Sequence, residues 1–332
     1  MENYIPPFEI TNEMMMKISS IMEKIGKLDN YTSLNKRPYL RKQNRINSIH
    51  SSLAIENNSL SLDQVKDVID GKTVIGPQKE IQEVKNAYKA YEMITDINPY
   101  SINDLLKVHG VMTYLTVNDA GNFRKGNEGV FDGDNCIFVC PPPDMVSQLI
   151  KNLFDWLNKN KDIIHPLILS SVFHYEFVFI HPFSDGNGRT VRLWQSALLY
   201  NWKEIFLYLP IESQIRKYQA DYYKAINDCH INGNSNVFIN FMLKMIDETL
   251  TYLINRKNVD VNQENINIDK ILNVMEKDRF YSATELMQKL NIKSRETLRN
   301  KYLTPAIEQK LIKQTNPDKI TSKNQQYYKI LF

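Results

Sequence analysis

The sequence predicts a mostly α-helical protein with one β-hairpin in its middle and a small mixed α+β domain at its C-terminal end. Three observations carry this. Apolar residues recur at helical spacing through most of residues 10–255. Residues 121–143 break that period with four glycines, an Asp-Gly turn signal and short β-rich runs. Near Asn258 a polar stretch without apolar period intervenes, and the helical and strand-like runs beyond it are short and basic.

Helices are expected, in order, over residues 11–28, 45–56, 61–69, 77–94, 101–115, 144–158, 166–180 and 188–200. Thr11, Ser61, Ser101 and Asn103 are candidate N-caps, and Pro166 suits a first helical turn. The hairpin would pair a run at Val130–Phe131 with one at residues 136–139 and end at the prolines 141–143. In the tail, helices are expected at 268–276, 282–290 and 294–303, with a turn at 291–293. A further helical turn and strands at 310–314 and 326–330 follow. The divisions this suggests are an N-terminal helical region (1–98), a core (99–255) carrying the hairpin segment 121–143, a linker (256–266) and a C-terminal domain (267–332).

Composition bounds the function. At 332 residues and 42% hydrophobic content the chain resembles an ordinary globular protein, and it has no apolar run near the ~20 residues a membrane helix needs. The N-terminus lacks a basic stretch followed by an apolar core, so no secretory signal is expected. Three cysteines, Cys136, Cys140 and Cys229, are too few for a disulfide framework; a reducing, cytoplasmic location is expected. The C-x₃-C spacing of Cys136 and Cys140 has no second ligand pair to complete a metal site. The net charge of +3 is unevenly placed: from Ile266 onward 13 lysines and arginines face 7 aspartates and glutamates.

The densest chemistry lies in residues 181–192, HPFSDGNGRTVR. His181 is a candidate general base, because imidazole titrates near neutral pH. Asp185 can hold a divalent metal. Gly186, Asn187 and Gly188 allow backbone N–H groups to approach an anion closely, and Arg189 and Arg192, three residues apart, share a helix face. A loop of this composition opening a helix is suited to phosphate. There is no G-x-x-x-x-G-K-[ST] loop, which excludes a Walker-type nucleotide site.

This stretch resembles the signature of the Fic family, HxFx(D/E)GNGRxxR, at every specified position. The resemblance implies a Fic-type helical core whose hairpin is a flap holding a target chain by strand pairing, and an activity that transfers AMP from ATP to a protein hydroxyl. It implies His181 as base, Mg²⁺ (or Mn²⁺) on Asp185, and Gly186, Asn187, Gly188, Arg189 and Arg192 around the phosphates of ATP. Gly121–Arg124 (GNFR) and residues 154–158 resemble the flap region and the helix after it, with Val130, Phe131, Asp132 and Gly133 as the nucleotide-facing part. Asp221-Tyr222-Tyr223 resembles the helix closing over adenine, with His230 or Asn232 at the base; core packing is the alternative for the tyrosines. A lysine, which marks the phosphotransferase branch, is absent at Gly188.

Residues 48–58, SIHSSLAIENN, match the family's inhibitory pattern (S/T)xxxE(G/N) through Ser52, Glu56 and Asn57. Ser52 and Glu56, four apart, lie on one helix face, and Asn57-Asn58 suit a helix end. The resemblance implies that Glu56 reaches Arg192 and keeps it from the γ-phosphate. His50, His109, His165 and His174 read as structural.

The order of elements in the tail resembles a winged helix-turn-helix. Lys293, Arg295, Arg299 and Lys301 cluster about its expected recognition helix, Thr297 and Asn300 could reach base edges, and Lys319 and Lys323 would lie in the wing. Such a domain serves DNA binding or protein contact, and homodimers occur among relatives. The leading expectation is a self-inhibited AMP transferase. The alternatives are a hydrolase that removes AMP with Glu56 placing water, and a DNA-binding regulator with a nucleotide-sensing Fic part. The expected partners are ATP and a target protein at the flap, without membrane attachment.

Overall fold

A computed structural model of the chain describes residues 4–29, 38–132, 135–258, 263–317 and 325–330. These form two compact units, one of residues 1–25 and 45–251, the other of residues 26–44 and 252–332.

The helices along the first part of the chain are α1 (Asn12–Asp29), α2 (Pro38–Ile55), α3 (Leu62–Ile69), α4 (Gln78–Glu92) and α5 (Ile102–Met112). Ser61 and Ser101 cap α3 and α5 as their sequence positions suggest, accepting from the N–H groups of Gln64 and Asp104. Asn103 lies inside α5 and is not a cap. The helix expected to reach residue 115 stops at Met112: Thr113 leaves helical geometry at φ −111° and ψ 11°, and Leu115 is left-handed at φ 60°. Strands β1 (Gly129–Asp132) and β2 (Asn135–Val139) pair antiparallel, with an irregularity between Val130 and Phe131. Gly133, and the side chains of Val130, Phe131, Asp132 and Cys136, lie outside the described residues.

The core of this unit is built on α7 (Pro166–Ile180) and α8 (Asn187–Trp202), flanked by α6 (Pro143–Asn160). Almost every residue of α7 is buried, as are residues 189–199 of α8. Helix α7, apolar on nearly all sides, belongs in an interior, and α8 is buried beside it although it carries Arg189, Arg192 and Gln195, so the loop joining them is anchored at both ends. That loop is residues 181–186. Beyond it, α9 (Ile211–Lys217), α10 (Gln219–Asn232) and residues 236–251 of α11 (Asn236–Asn258) complete the unit. Among the described residues no helix is long and apolar enough to cross a membrane.

The second unit contains α12 (Gln263–Val274), β3 (Phe280–Ser282), α13 (Ala283–Lys289), α14 (Arg295–Leu298), a π-helical turn (Arg299–Leu303), α15 (Thr304–Glu308), β4 (Ile312–Gln314) and β5 (Gln326–Lys329). The strands form an antiparallel sheet in the order β3-β5-β4. Ile268, Ile271, Leu272, Tyr281, Leu286, Leu298 and Tyr327 are buried in its core. Strand β3 escapes a reading by periodicity because it is three residues long and ends on Ser282, which at once caps α13. Both ends of the polar segment 256–266 are helical: α11 runs to Asn258 and α12 begins at Gln263, continuing into the buried Ile268 and Ile271. Lys319 and Lys323 lie outside the described residues.

Candidate active site

The loop between α7 and α8 is shaped by its own side chains. His181 follows the last turn of α7 in the left-handed region, φ 51° and ψ 61°, with its N–H on the Phe177 carbonyl at 2.9 Å. Asn187, the first residue of α8, closes the loop with both ends of its amide. Its Oδ1 accepts from the Phe183 N–H at 2.9 Å and its Nδ2 donates to the Phe183 carbonyl at 2.7 Å. Gly186 sits at φ 83°, and a Cβ there would meet the Thr113 methyl at 2.6 Å, so the position admits only glycine.

His109, on α5, holds this loop from the other side. Its ring stacks on Phe183 at 3.6 Å. The Gly121 N–H donates to its Nδ1 at 2.9 Å, so Nε2 carries the proton and donates to the Asp185 carbonyl at 3.0 Å. Burial drives its pKa down to about 4, which keeps it neutral. His109 is thus structural, as expected, but its partner Asp185 lies 76 residues away and no spacing marks the pair.

The His181 ring is mostly buried. Burial lowers its pKa below the usual histidine value; the Arg124 charge acts in the same direction, against the Val178 backbone, Glu56 and Asp185. It is therefore the neutral imidazole, able to accept a proton, at neutral pH.

The two arginines of the motif are both buried and both engaged with carboxylates. Arg189 is gripped by Glu83 of α4 through Nη1 at 3.0 Å and by Asp185 Oδ1 through Nη2 at 2.7 Å. Glu83 was invisible to motif reading. Asp185 remains 44% exposed, and its Oδ2 faces Lys79 at 3.9 Å. Arg192 donates from Nε to the Ser52 hydroxyl at 3.0 Å, and from Nη2 to the Ser52 carbonyl at 2.9 Å and to Glu56 Oε1 at 2.8 Å. Its Nη1 is buried without a partner. Burial works against its charge, but Glu56 beside it more than compensates, and its pKa stays above the ordinary arginine value. A Cβ on Gly188 would collide with this same Glu56 carboxylate.

Glu56 is delivered by the way α2 ends. The Asn57 N–H bonds to the Ala54 carbonyl and the Asn58 N–H to the Leu53 carbonyl, both at 3.1 Å, with Asn57 left-handed at φ 63°. This is the Schellman pattern, which makes Glu56 the last helical link and explains an asparagine at the next position. The end is held from outside as well. Gln219 and Tyr223 of α10 both donate to the Ile55 carbonyl, at 3.2 and 3.3 Å, and Asn58 donates to Glu83 at 2.9 Å. Two turns back, Ser48 donates to the buried Glu212 at 2.7 Å.

A cavity of about 760 Å³ opens beside these groups. Its wall includes Glu56, Asn57, His181, Asn187, Gly188, Arg192, Tyr222, Tyr223 and His230, nine of the positions marked in the sequence. Asp185, Gly186, Arg189 and Ser52 stand outside that wall, and Asn232 does not reach it. Tyr222 is fully buried, with its hydroxyl 3.0 Å from His174 Nε2, so packing and cavity lining coincide in it; Tyr223 is 46% exposed. His230 stacks on Phe138 at 4.0 Å and bonds the Tyr175 hydroxyl at 3.0 Å.

Comparison with known proteins accords with this site. The sequence profile of the Fic/DOC family matches residues 99–199, and that of the "Filamentation induced by cAMP protein Fic-like, C-terminal domain" matches residues 267–329. A crystal structure of a Fic family protein from Desulfovibrio desulfuricans G20 is 39% identical, with 98% of each chain covered and a TM-score of 0.74. The chain belongs to the Fic family. Among curated relatives, a "Protein adenylyltransferase Fic" from Nematostella vectensis is 29% identical over 73% of this chain and 56% of its own length. One of the same name from Aedes aegypti is 32% identical over 63% of this chain and 42% of its own length. This chain thus spans about half the length of those relatives.

Proposed function

We propose that this chain is a self-inhibited protein adenylyltransferase that transfers AMP from ATP to a hydroxyl side chain of a target protein and of itself. The observation that carries the proposal is the Glu56–Arg192 ion pair, closed at 2.8 Å on the wall of a cavity that also contains His181 and Gly188. A cavity of that volume falls in the range that small-molecule ligands occupy.

In this reading His181 takes the proton of the attacking hydroxyl as the oxygen bonds to the α-phosphorus and pyrophosphate leaves. The neutral state of His181 supports the role. The Gly186–Gly188 backbone and Arg192 neutralise the phosphates, and Tyr222, Tyr223 and His230 form the base end of the cavity. The donor set suits Mg²⁺: the Asp185 side chain is partly exposed, and this hard cation binds through one or two carboxylates plus substrate phosphates. Asp185 would hold the ion, which when bound offsets phosphate charge. Arg189, tied to Glu83 and Asp185, acts in this reading by orienting that carboxylate as well as by its charge.

With Glu56 on Arg192, Nη2 of the guanidinium is occupied and, in this reading, a negative charge stands where the γ-phosphate must sit. Incubation of wild type and Glu56→Gly with labelled ATP and cell lysate tests this. Glu56→Gly raises self-modification and target labelling well above wild type, and the double variant with His181→Ala is silent again. Unchanged labelling in Glu56→Gly would defeat the proposal.

A second reading, removal of AMP with Glu56 placing water, draws support from Glu56 and His181 lining one cavity. It predicts that Glu56→Gly loses release of AMP from a labelled target. In the C-terminal unit, the three-stranded sheet behind short helices supports a winged-helix reading. Lys293, Arg295, Arg299 and Lys301 are exposed there for contact with DNA or protein.

A further inference from the structure

The segment GNFR, residues 121–124, carries a chemistry that the proposed reaction does not use. Arg124 is 2% exposed. A buried guanidinium is costly unless its donors are met. Here they are met by backbone. Nε donates to the His181 carbonyl at 2.7 Å, Nη2 to the Pro141 carbonyl at 2.6 Å and the Ile180 carbonyl at 3.4 Å, and Nη1 to the Gly126 carbonyl at 2.8 Å. The Arg124 N–H adds a bond to the Pro182 carbonyl at 2.9 Å. One residue therefore ties three successive carbonyls, 180, 181 and 182, to both feet of the β1–β2 hairpin, Gly126 before it and Pro141 after it.

We propose that Arg124 is a positioning residue that locks His181 and the hairpin into one fixed relation, so that a hydroxyl presented on the hairpin edge arrives at the imidazole. The need for such a lock follows from two observations. His181 holds a left-handed backbone, which a non-glycine residue does not keep without support. Among the described residues the hairpin's strands pair only with each other, β1 on β2; Phe138 packs on Phe179 and His230, and the polar ties of the hairpin to the 180–182 loop run through its feet. The Cys140 N–H on the Glu128 carbonyl at 3.1 Å closes the hairpin but does not tie it to α7. The planar fork of arginine can reach four carbonyls at once, and a lysine ammonium cannot reproduce that geometry. Arg124 is buried and stands outside the cavity wall; it acts through His181 and the hairpin. The inference rests on the proposed role of His181.

The test uses the full chain in the Glu56→Gly background, with Arg124→Lys and the volume-conserving Arg124→Met. Amide hydrogen exchange reads the lock directly, without catalysis. Faster exchange is expected in peptides covering residues 124–128, 138–141 and 180–183, with α8 and α10 unchanged. Transfer should fall by about 10²-fold in kcat, the scale of a misplaced reacting group, while ATP affinity stays within about twofold. A lysine variant with parental exchange and parental transfer overturns the proposal. So does a parallel loss of ATP affinity, which assigns Arg124 to the whole site, or failure of both variants to fold, which assigns it to stability. If exchange responds as expected but the Glu56→Gly parent transfers nothing, the lock stands and the catalytic reading of His181 falls.

Discussion

His181 concentrates the chemistry into one atom with an unusual setting. It is a left-handed residue before a proline, mostly buried, and its pKa is pushed below the usual 6.5 by burial first. A lowered pKa means that the base form persists to lower pH than a free imidazole allows. In the Glu56→Gly background, transfer is expected to hold as pH drops through 6.5 and to fall only below it; an acid limb at or above pH 6.5 in the kcat profile contradicts the assignment. His181→Ala is expected to lose at least the ~10²-fold typical of a general base while retaining a native circular dichroism spectrum, because the loop is fixed by Asn187, His109 and Phe183 rather than by the His181 ring.

At the scale of the element, the end of α2 is the moving part that the inhibitory reading requires. Its geometry depends on Asn57 at φ 63°. Glycine adopts that conformation freely and β-branched residues resist it. Asn57→Gly is therefore expected to keep the urea midpoint and the low basal transfer of wild type. Asn57→Val is expected to cost about 1–2 kcal/mol, the penalty of a left-handed residue, and to raise basal transfer as Glu56 swings off Arg192. Urea unfolding and self-labelling measured on the same samples check both. The same end also explains why Gly188 stands where it does: its bare Cα leaves room for the Glu56 carboxylate. The end of α2 and the start of α8 thus fit each other sterically, although they lie far apart in the chain.

For the whole molecule, buried histidines set the response to acid. His109 and His230 are held down to about 4 and His174 to about 3, in each case by burial. Their unfolded counterparts titrate near 6.5, so below that pH the unfolded chain takes up protons that the folded chain refuses, and stability falls as pH falls. Glu176 opposes this. Burial raises it to about 7, so the folded state takes its proton first and gains stability as pH drops from about 7 toward 4.5. Three histidines against one carboxylate give a net loss. The urea midpoint of the full chain is expected to be lower at pH 5 than at pH 7.5, and a higher midpoint at pH 5 would show that Glu176 dominates.

Sequence by itself determined the helical core, the hairpin and the residues of the 181–192 loop, because each depends on neighbours a turn or two away. The apolar period, the glycines, the Ser52–Glu56 spacing and the asparagines at 57 and 58 are all local signals. It named the two arginines, and the family resemblance paired Arg192 with Glu56, but no local signal showed what Arg189 holds. Arg192 meets Glu56 across 136 residues, Arg189 meets Glu83 across 106, and His109 and Arg124 reach the loop across 76 and 57. The resemblance implied the first of these; only the tertiary structure decided the other three. Contacts at that separation are set by how buried faces of α2, α4, α5, α7 and α8 pack together, and a buried guanidinium or imidazole then takes whichever carboxylate or carbonyl the packing brings within hydrogen-bond reach.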